Sequence, residues 1–88
     1  MLSMFLKKRD FKIKFLGRSG ILYIEGDKQV AVDSEMLFGS LFDLVIYKDS
    51  IDKWLIPEGE FISIGEKKRI LKNICNYLSK LKYKVDVV

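Results

Sequence analysis

The sequence predicts an α+β fold: an antiparallel β-meander of four to five strands packed on one C-terminal amphipathic helix, followed by a short final strand. In the first half, short apolar stretches with period-two alternation are separated by glycine-containing turns. After residue 63 the apolar residues change to helical spacing. The chain has 88 residues, 49% of them hydrophobic, so residues 1–88 are expected to form a single domain with one core.

The first three predicted strands are joined by tight turns. Residues 11–15 alternate aromatic or aliphatic side chains with two lysines, as expected for a strand with one solvent-exposed face. Residues 17–20 read GRSG and predict a hairpin turn into a second strand at 21–24. A second turn is predicted at 26–27, because glycine tolerates the positive φ that such turns need. It leads to a third strand at 29–33.

The segment before the helix is less regular. Residues 42–47 are nearly continuously apolar and predict a central fourth strand, whereas 36–40 fit either a strand end with a bulge or a loop. Residues 49–54 fit either a capped single helical turn or a fifth short strand, which Pro57 and Gly59 end. Since every connection is too short for a crossover helix, the strands are expected to pair antiparallel.

The helix start is the clearest local signal. Ser63 and Glu66 have the spacing of a capping box, in which each side chain accepts a hydrogen bond from the other's backbone N–H. One face of the following helix of about five turns is apolar: Ile70, Leu71, Ile74, Cys75, Leu78 and Leu81. The opposite face is polar: Lys68, Arg69, Lys72, Asn76 and Lys80. Residues 83–88 alternate again and predict the final strand.

Residues that could support catalysis or bind a metal are scarce. The chain has no histidine, which removes the commonest general base and the commonest zinc ligand. Cys75 lies on the apolar helix face without a base to activate it, so a packing role is expected. Three carboxylate pairs lack the dense oxygen-ligand loop of calcium sites and are read as solvated loop charge: Asp33/Glu35, Asp49/Asp52 and Glu58/Glu60. The sequence therefore predicts a non-enzymatic binding protein without metal or cofactor.

The composition also predicts the compartment. No stretch approaches the roughly 20 apolar residues that span a bilayer. The N-terminus places apolar residues before basic ones, which is the reverse of a secretory signal. A single cysteine cannot form an internal disulfide and fits a reducing compartment. We expect a cytoplasmic protein with no membrane partner.

Charge is segregated along the chain. The net charge of +4 combines +5 over residues 1–24, −6 over 25–60 and +5 over 61–88. Either the basic ends face the acidic middle across the fold in ion pairs, or the acidic middle forms a surface for a partner.

The acidic middle is the first candidate surface. Tyr47 and Trp54 are embedded in it, and aromatic side chains beside charge make good interface anchors because they bury much area at low entropic cost. The alternative for Trp54 is that it fills the core between sheet and helix. The predicted partner-binding residues are Tyr47, Asp49, Asp52, Trp54, Glu58 and Glu60.

A basic surface is the second candidate. Its predicted members are Lys7, Lys8, Arg9, Lys12, Lys14, Lys68, Arg69, Lys72 and Lys80. Lys67, Lys68 and Arg69 also crowd the helix N-terminus, where the macrodipole disfavours cations. Anion binding and a plain solvated lysine face are both consistent with this pattern.

Residues 46–88 carry a spaced pattern of their own. It comprises Tyr47, Ser50-Ile51, Trp54, Pro57, an Ile62-Ser63 helix start and a closing strand at 83–87. This pattern resembles the immunity protein 74 family of bacterial polymorphic toxin systems, although Leu55-Ile56-Pro57 stands where that family often has a proline pair. The first half matches only through two hairpins and a glycine. The resemblance implies binding and neutralisation of a toxin encoded next door, with no catalytic residues.

Two other functions compete with this one. A single-stranded nucleic-acid-binding module would use basic ends and aromatic rings, although the acidic middle repels phosphate. A homodimeric structural subunit would use open sheet edges.

Overall fold

The computed structural model describes residues 10–88 and confirms the α+β class. Three of the predicted basic residues, Lys7, Lys8 and Arg9, lie outside the described residues. The strands are β1 (Phe11–Phe15), β2 (Ile21–Glu25), β3 (Lys28–Val32), β4 (Ser34–Met36), β5 (Leu44–Ile46) and β6 (Val85–Val87). The helices are a 3₁₀ turn (Lys48–Ser50) and α1 (Ile64–Lys80).

The first three strands form the predicted antiparallel meander, in the order β1-β2-β3. Glu25 pairs with Lys28 across a two-residue turn, in which Gly26 has a φ of +62°. This is the positive φ that the glycine in the sequence predicts. Side chains alternate along β2: Ile21, Tyr23 and Glu25 are buried, whereas Leu22 and Ile24 are half-exposed. The sheet therefore has one buried face and one that is largely open.

The remaining strands form a second sheet, in the order β4-β5-β6, instead of extending the meander. A single residue, Asp33, separates β3 from β4, so the chain passes directly from one sheet to the other. The outer edge of β3 is occupied by residues 55–56, because the Gln29 backbone bonds to the N–H of Leu55 (2.7 Å) and to the carbonyl of Ile56 (2.9 Å). The meander therefore contains three of the predicted four to five strands, and β4 and β5 belong to the second sheet.

The pairing of β5 with β6 is parallel, with Leu44 beside Val85 and Ile46 beside Val87. Parallel neighbours need a long crossover, and α1 supplies it. The predicted antiparallel pairing concerned the strands joined by short connections before the helix, and the pairing of the final strand was left open.

The two ambiguous segments are now defined. Residues 34–36 form β4 and residues 37–43 form a loop. The 3₁₀ turn at 48–50 is followed by irregular chain, in which Lys53 and Ile56 make isolated bridges to Phe61 and Gln29. The single helical turn is therefore confined to residues 48–50, and residues 51–54 form no further strand of the meander.

One core joins the two sheets to the helix. Ile70, Ile74 and Leu78 of α1 recur every fourth residue and are fully buried. They pack with side chains of both sheets and of the chain before the helix: Ile21, Tyr23, Val30, Val32, Leu44, Ile46, Ile51 and Trp54. The predicted apolar helix face is confirmed at these positions, whereas Leu81 at the helix end is exposed.

The capping box at the start of α1 is confirmed. Ser63 Oγ accepts a hydrogen bond from the Glu66 N–H (3.1 Å), and Glu66 Oε1 accepts one from the Ser63 N–H (2.9 Å). The bond from the Ser63 backbone lowers the pKa of the Glu66 carboxyl. Both contacts satisfy N–H groups that the first helical turn leaves without partners.

A polar network lies between β2 and α1 at the edge of the core. The side chain of Glu25 is fully buried and accepts two hydrogen bonds from Arg69, at 2.7 and 3.0 Å. Tyr23 donates to Glu25 (2.8 Å), and Asn73 donates to the Tyr23 hydroxyl (2.8 Å). Burial raises the pKa of Tyr23 to about 12.

We expect Ser63→Ala to destabilise the fold by about 1 kcal/mol, because the first helical turn loses its capping acceptor. Chemical denaturation measures the change. Ser19→Ala, at an exposed turn position, is the control and should change stability by less than about 0.5 kcal/mol. Equal stability of the two variants would contradict the assigned helix start.

Tyr23 should make stability depend on alkaline pH. Its folded-state pKa of about 12 lies above the ordinary value of 10.0, so the unfolded chain loses the phenolic proton first as the pH rises. Stability is therefore lost between the two values, by roughly 1 kcal/mol from pH 9 to pH 11. Denaturation of the wild type and Tyr23→Phe at both pH values isolates this loss, since the lysines titrate in both proteins. Equal losses would contradict the assignment.

Candidate partner-binding surface

The segment from Asp52 to Phe61 forms a closed loop around Trp54, named here the Trp54 loop. The backbone N–H of Trp54 donates to the carbonyl of Glu60 (2.8 Å), and the backbone N–H of Gly59 donates to the carbonyl of Trp54 (3.2 Å). The base of the loop is closed by the N–H of Ile62, which donates to the carbonyl of Asp52 (2.8 Å). Together with the backbone bonds to Gln29, these contacts hold both sides of the loop in place.

Trp54 itself is 1% exposed and belongs to the core. The interpretation of Trp54 as an exposed interface anchor therefore gives way to the alternative of a core side chain. The ammonium of Lys28 lies 5.2 Å from the centre of the indole ring. Trp54 positions the residues on either side of it, which are exposed.

The other five predicted partner-binding residues are exposed: Tyr47, Asp49, Asp52, Glu58 and Glu60. They lie on the 3₁₀ turn, on the residue before it and on the Trp54 loop. The structure therefore places all five on the chain between β5 and α1. No measured contact identifies any of them as a binding residue, so their role stays a prediction.

Two of the four carboxylates have ion-pair partners. Asp49 lies 3.5 Å from the ammonium of Lys67, and Glu60 lies 3.4 Å from that of Lys28, which also approaches Glu66 at 3.8 Å. Exposed pairs of this kind are worth at most about 1 kcal/mol and exchange readily for other partners. Within residues 10–88, Asp52 and Glu58 make no ion pair.

Tyr47 is held at the edge of this surface. Its hydroxyl donates to Glu35 Oε1 (3.0 Å), and this hydrogen bond raises the pKa of Tyr47. The Ser50 hydroxyl links the backbones of Tyr47 and Asp33, because it donates to the Tyr47 carbonyl (2.7 Å) and accepts from the Asp33 N–H (2.8 Å). Glu35, which the sequence analysis assigned to solvated loop charge, adds a carboxylate beside Tyr47.

Within residues 10–88, the proposed pairing of the basic ends with the acidic middle occurs at two contacts. Arg69 binds Glu25 and Lys67 binds Asp49. Arg69 therefore leaves the predicted solvated face of the helix and enters the polar network, whereas Lys68, Lys72 and Lys80 remain exposed.

Exposed apolar side chains of the Trp54 loop were not singled out from the sequence. Leu55, Ile56 and Phe61 are all exposed, and Phe61 stands opposite Lys53. For Leu55 a signal existed, because neighbours of a buried side chain in extended chain point to the other side. It depended on the burial of Trp54, which the sequence left open.

Two features of the described residues concern metal binding and thiol reactivity. No group of three or more Cys, Asp or Glu side chains between residues 10 and 88 could hold a metal ion. Cys75 is half-buried, and burial raises the pKa of its thiol, which reduces its reactivity at neutral pH. None of the helices in the described part of the chain is long and apolar enough to cross a membrane.

The family model of immunity protein 74 matches residues 12–88. The chain belongs to the immunity protein 74 family. This match extends over both sheets and the helix, well beyond the residues 46–88 that carried the resemblance in the sequence. Comparison with curated proteins and with solved structures found no match.

The single tryptophan of this immunity protein 74 family member provides a direct test of the core assignment. Because the indole of Trp54 is buried, its fluorescence should be blue-shifted relative to indole in water and poorly quenched by iodide. Denatured protein serves as the exposed reference. Strong quenching of the folded protein would contradict the buried position and would show that the Trp54 indole is exposed to solvent.

Proposed function

We propose that this chain is a cytoplasmic bacterial immunity protein that neutralises a cognate toxin by binding it directly, without catalysis. Membership of the immunity protein 74 family is the observation that carries this proposal. The thiol of Cys75 lies against the core, and no activating histidine exists in the chain. Neutralisation by occupancy of the toxin needs no reactive group.

The acidic surface between β5 and α1 is the proposed docking site. It comprises Tyr47, Asp49, Asp52, Glu58 and Glu60, within the segment of net charge −6. A toxin that attacks nucleic acid has a basic cleft, and carboxylates in that cleft would take the place of phosphates. Charge complementarity also speeds encounter, which favours capture of the toxin before it acts.

The uncovered face of the meander argues against the nucleic-acid alternative. The aromatic residues of β1 and β2 stack on the side facing the helix, where the rings of Phe11 and Tyr23 are 5.6 Å apart. The opposite face presents Lys12, Lys14 and aliphatic side chains of β2. Single-strand binding uses exposed rings on which bases stack, and the described strands place none on this face.

The homodimer alternative meets a similar obstacle at the open edge of β1. Antiparallel pairing of two copies centred on Ile13 would put Lys12 opposite Lys14 of the second copy. Like charges directly opposite destabilise a strand pair, and lysines on an edge strand protect it from such pairing.

The docking proposal predicts a salt-sensitive loss of association rate in the variant Asp52→Asn/Glu58→Gln. These two carboxylates make no ion pair within residues 10–88, so folding should be unchanged. Stopped-flow or surface-based kinetics would use the C-terminal domain of the protein encoded by the neighbouring upstream gene. At low salt the association rate should fall by roughly threefold to tenfold, and at high salt the difference should shrink.

The variant Asp10→Asn/Asp86→Asn is the matched control, since it removes the same charge from the residue before β1 and from β6. It should associate nearly as fast as the wild type. An equal loss in both variants would mean that net charge alone steers binding. No loss in the test variant would remove the acidic surface from the interface.

A further inference from the structure

Four large apolar side chains are exposed around the Trp54 loop and the first residue of α1: Leu55, Ile56, Phe61 and Ile64. Phe61 is 69% exposed and Leu55 is 54% exposed. Isolated surface leucines are ordinary, but exposed apolar residues concentrated in one short segment are typical of interaction sites.

The backbone places Leu55 and Phe61 on the outer side of the loop. Lys53 and Phe61 are antiparallel partners, and the Lys53 ammonium lies 5.0 Å from the centre of the phenyl ring. Trp54 points into the core, so its neighbours Lys53 and Leu55 point outward. Both apolar side chains therefore face away from the core, towards any molecule that approaches the loop.

The loop is also fixed before a partner arrives. Trp54 anchors its centre, and backbone bonds to Gln29 and Glu60 hold its sides. Lys28, which lies between Glu60 and Glu66, ties it to the first turn of α1. Binding to a preformed surface avoids the entropic cost of ordering a loop.

Carboxylates lie in the same loop as these apolar side chains. Asp52, Glu58 and Glu60 belong to the same ten-residue loop as Leu55 and Phe61. An apolar centre with a charged rim is the usual composition of a protein–protein interface. The rim charge indicates a partner surface that carries the opposite sign around an apolar pocket.

We propose that Leu55 and Phe61 form the apolar centre of the toxin-binding surface and enter an apolar pocket bordered by lysine or arginine on the toxin. This inference rests on the proposed function and names the chemistry of its partner. The two parts of the surface act on different rates. The carboxylates accelerate association, whereas the buried apolar contacts slow dissociation.

A second exposed patch gives a matched comparison. Phe38 is 76% exposed and Leu41 is 84% exposed, both in the loop between β4 and β5. The Arg18 guanidinium lies 4.9 Å from the centre of the Phe38 ring, and the Lys53 ammonium lies 5.0 Å from the centre of the Phe61 ring. The two phenylalanines therefore match in exposure and in cation contact, and they differ in their place in the chain, since Phe61 belongs to the Trp54 loop and Phe38 to the loop between β4 and β5.

The experiment compares Phe61→Ala with Phe38→Ala in the full chain, using the C-terminal domain of the neighbouring upstream protein as the probe. Melting temperatures show whether each variant is folded. They should match the wild type, because the substituted side chains are exposed. Phe61→Ala should dissociate about ten- to thirtyfold faster than the wild type, with an association rate changed less than twofold. Phe38→Ala should dissociate like the wild type. Leu55→Ala and Leu41→Ala repeat the comparison with an aliphatic pair.

Each outcome separates this inference from the proposed function. Tight binding by both phenylalanine variants would overturn the apolar centre while leaving toxin binding intact. Faster dissociation of Phe38→Ala alone would move the interface to the other patch and overturn the inference. Failure of the wild type to bind the probe would overturn the proposed function and this inference with it.

Discussion

Burial of Trp54 is the interaction on which both the loop geometry and the proposed binding surface depend. The indole is the largest fully buried side chain, and truncation of such a residue typically costs about 3–5 kcal/mol. Its Nε1 has no hydrogen-bond partner within residues 10–88, which costs about 1–3 kcal/mol. Packing of the ring offsets that penalty. With the ring fixed inside, Leu55 is directed outward, and the backbone N–H of Trp54 closes the loop by donating to the Glu60 carbonyl.

A single helix makes this arrangement possible. Two three-stranded sheets are each too small to enclose a core, and Ile70, Ile74 and Leu78 fill the space that both sheets share with Trp54. The same helix carries Lys67 to Asp49 and Glu66 to Lys28, so its first turn also supports the acidic segment. Helix, core and binding surface are therefore mechanically linked through one element.

Local signals in the sequence predicted local structure well. The capping box at Ser63 and the glycine turn at Gly26 are confirmed, because both depend on residues a few positions apart. The division into two sheets was missed, since β5 pairs with β6 across about 40 residues and no spacing rule reports such a contact. Burial of Trp54 could not be decided either, because side chains distant in sequence determine it. Exposure of the carboxylates followed from their charge, whereas Phe61 gave no comparable signal.

Hydrogen–deuterium exchange with and without the toxin domain tests whether the Trp54 loop is the surface that contacts the toxin. Peptides that span residues 52–64 should exchange more slowly when the toxin is bound. Exchange in peptides from the loop at 37–43 should be unchanged, although Phe38 and Leu41 there are even more exposed than Phe61 and Leu55. Protection confined to residues 37–43, with none in the Trp54 loop, would show that the toxin binds at the other patch.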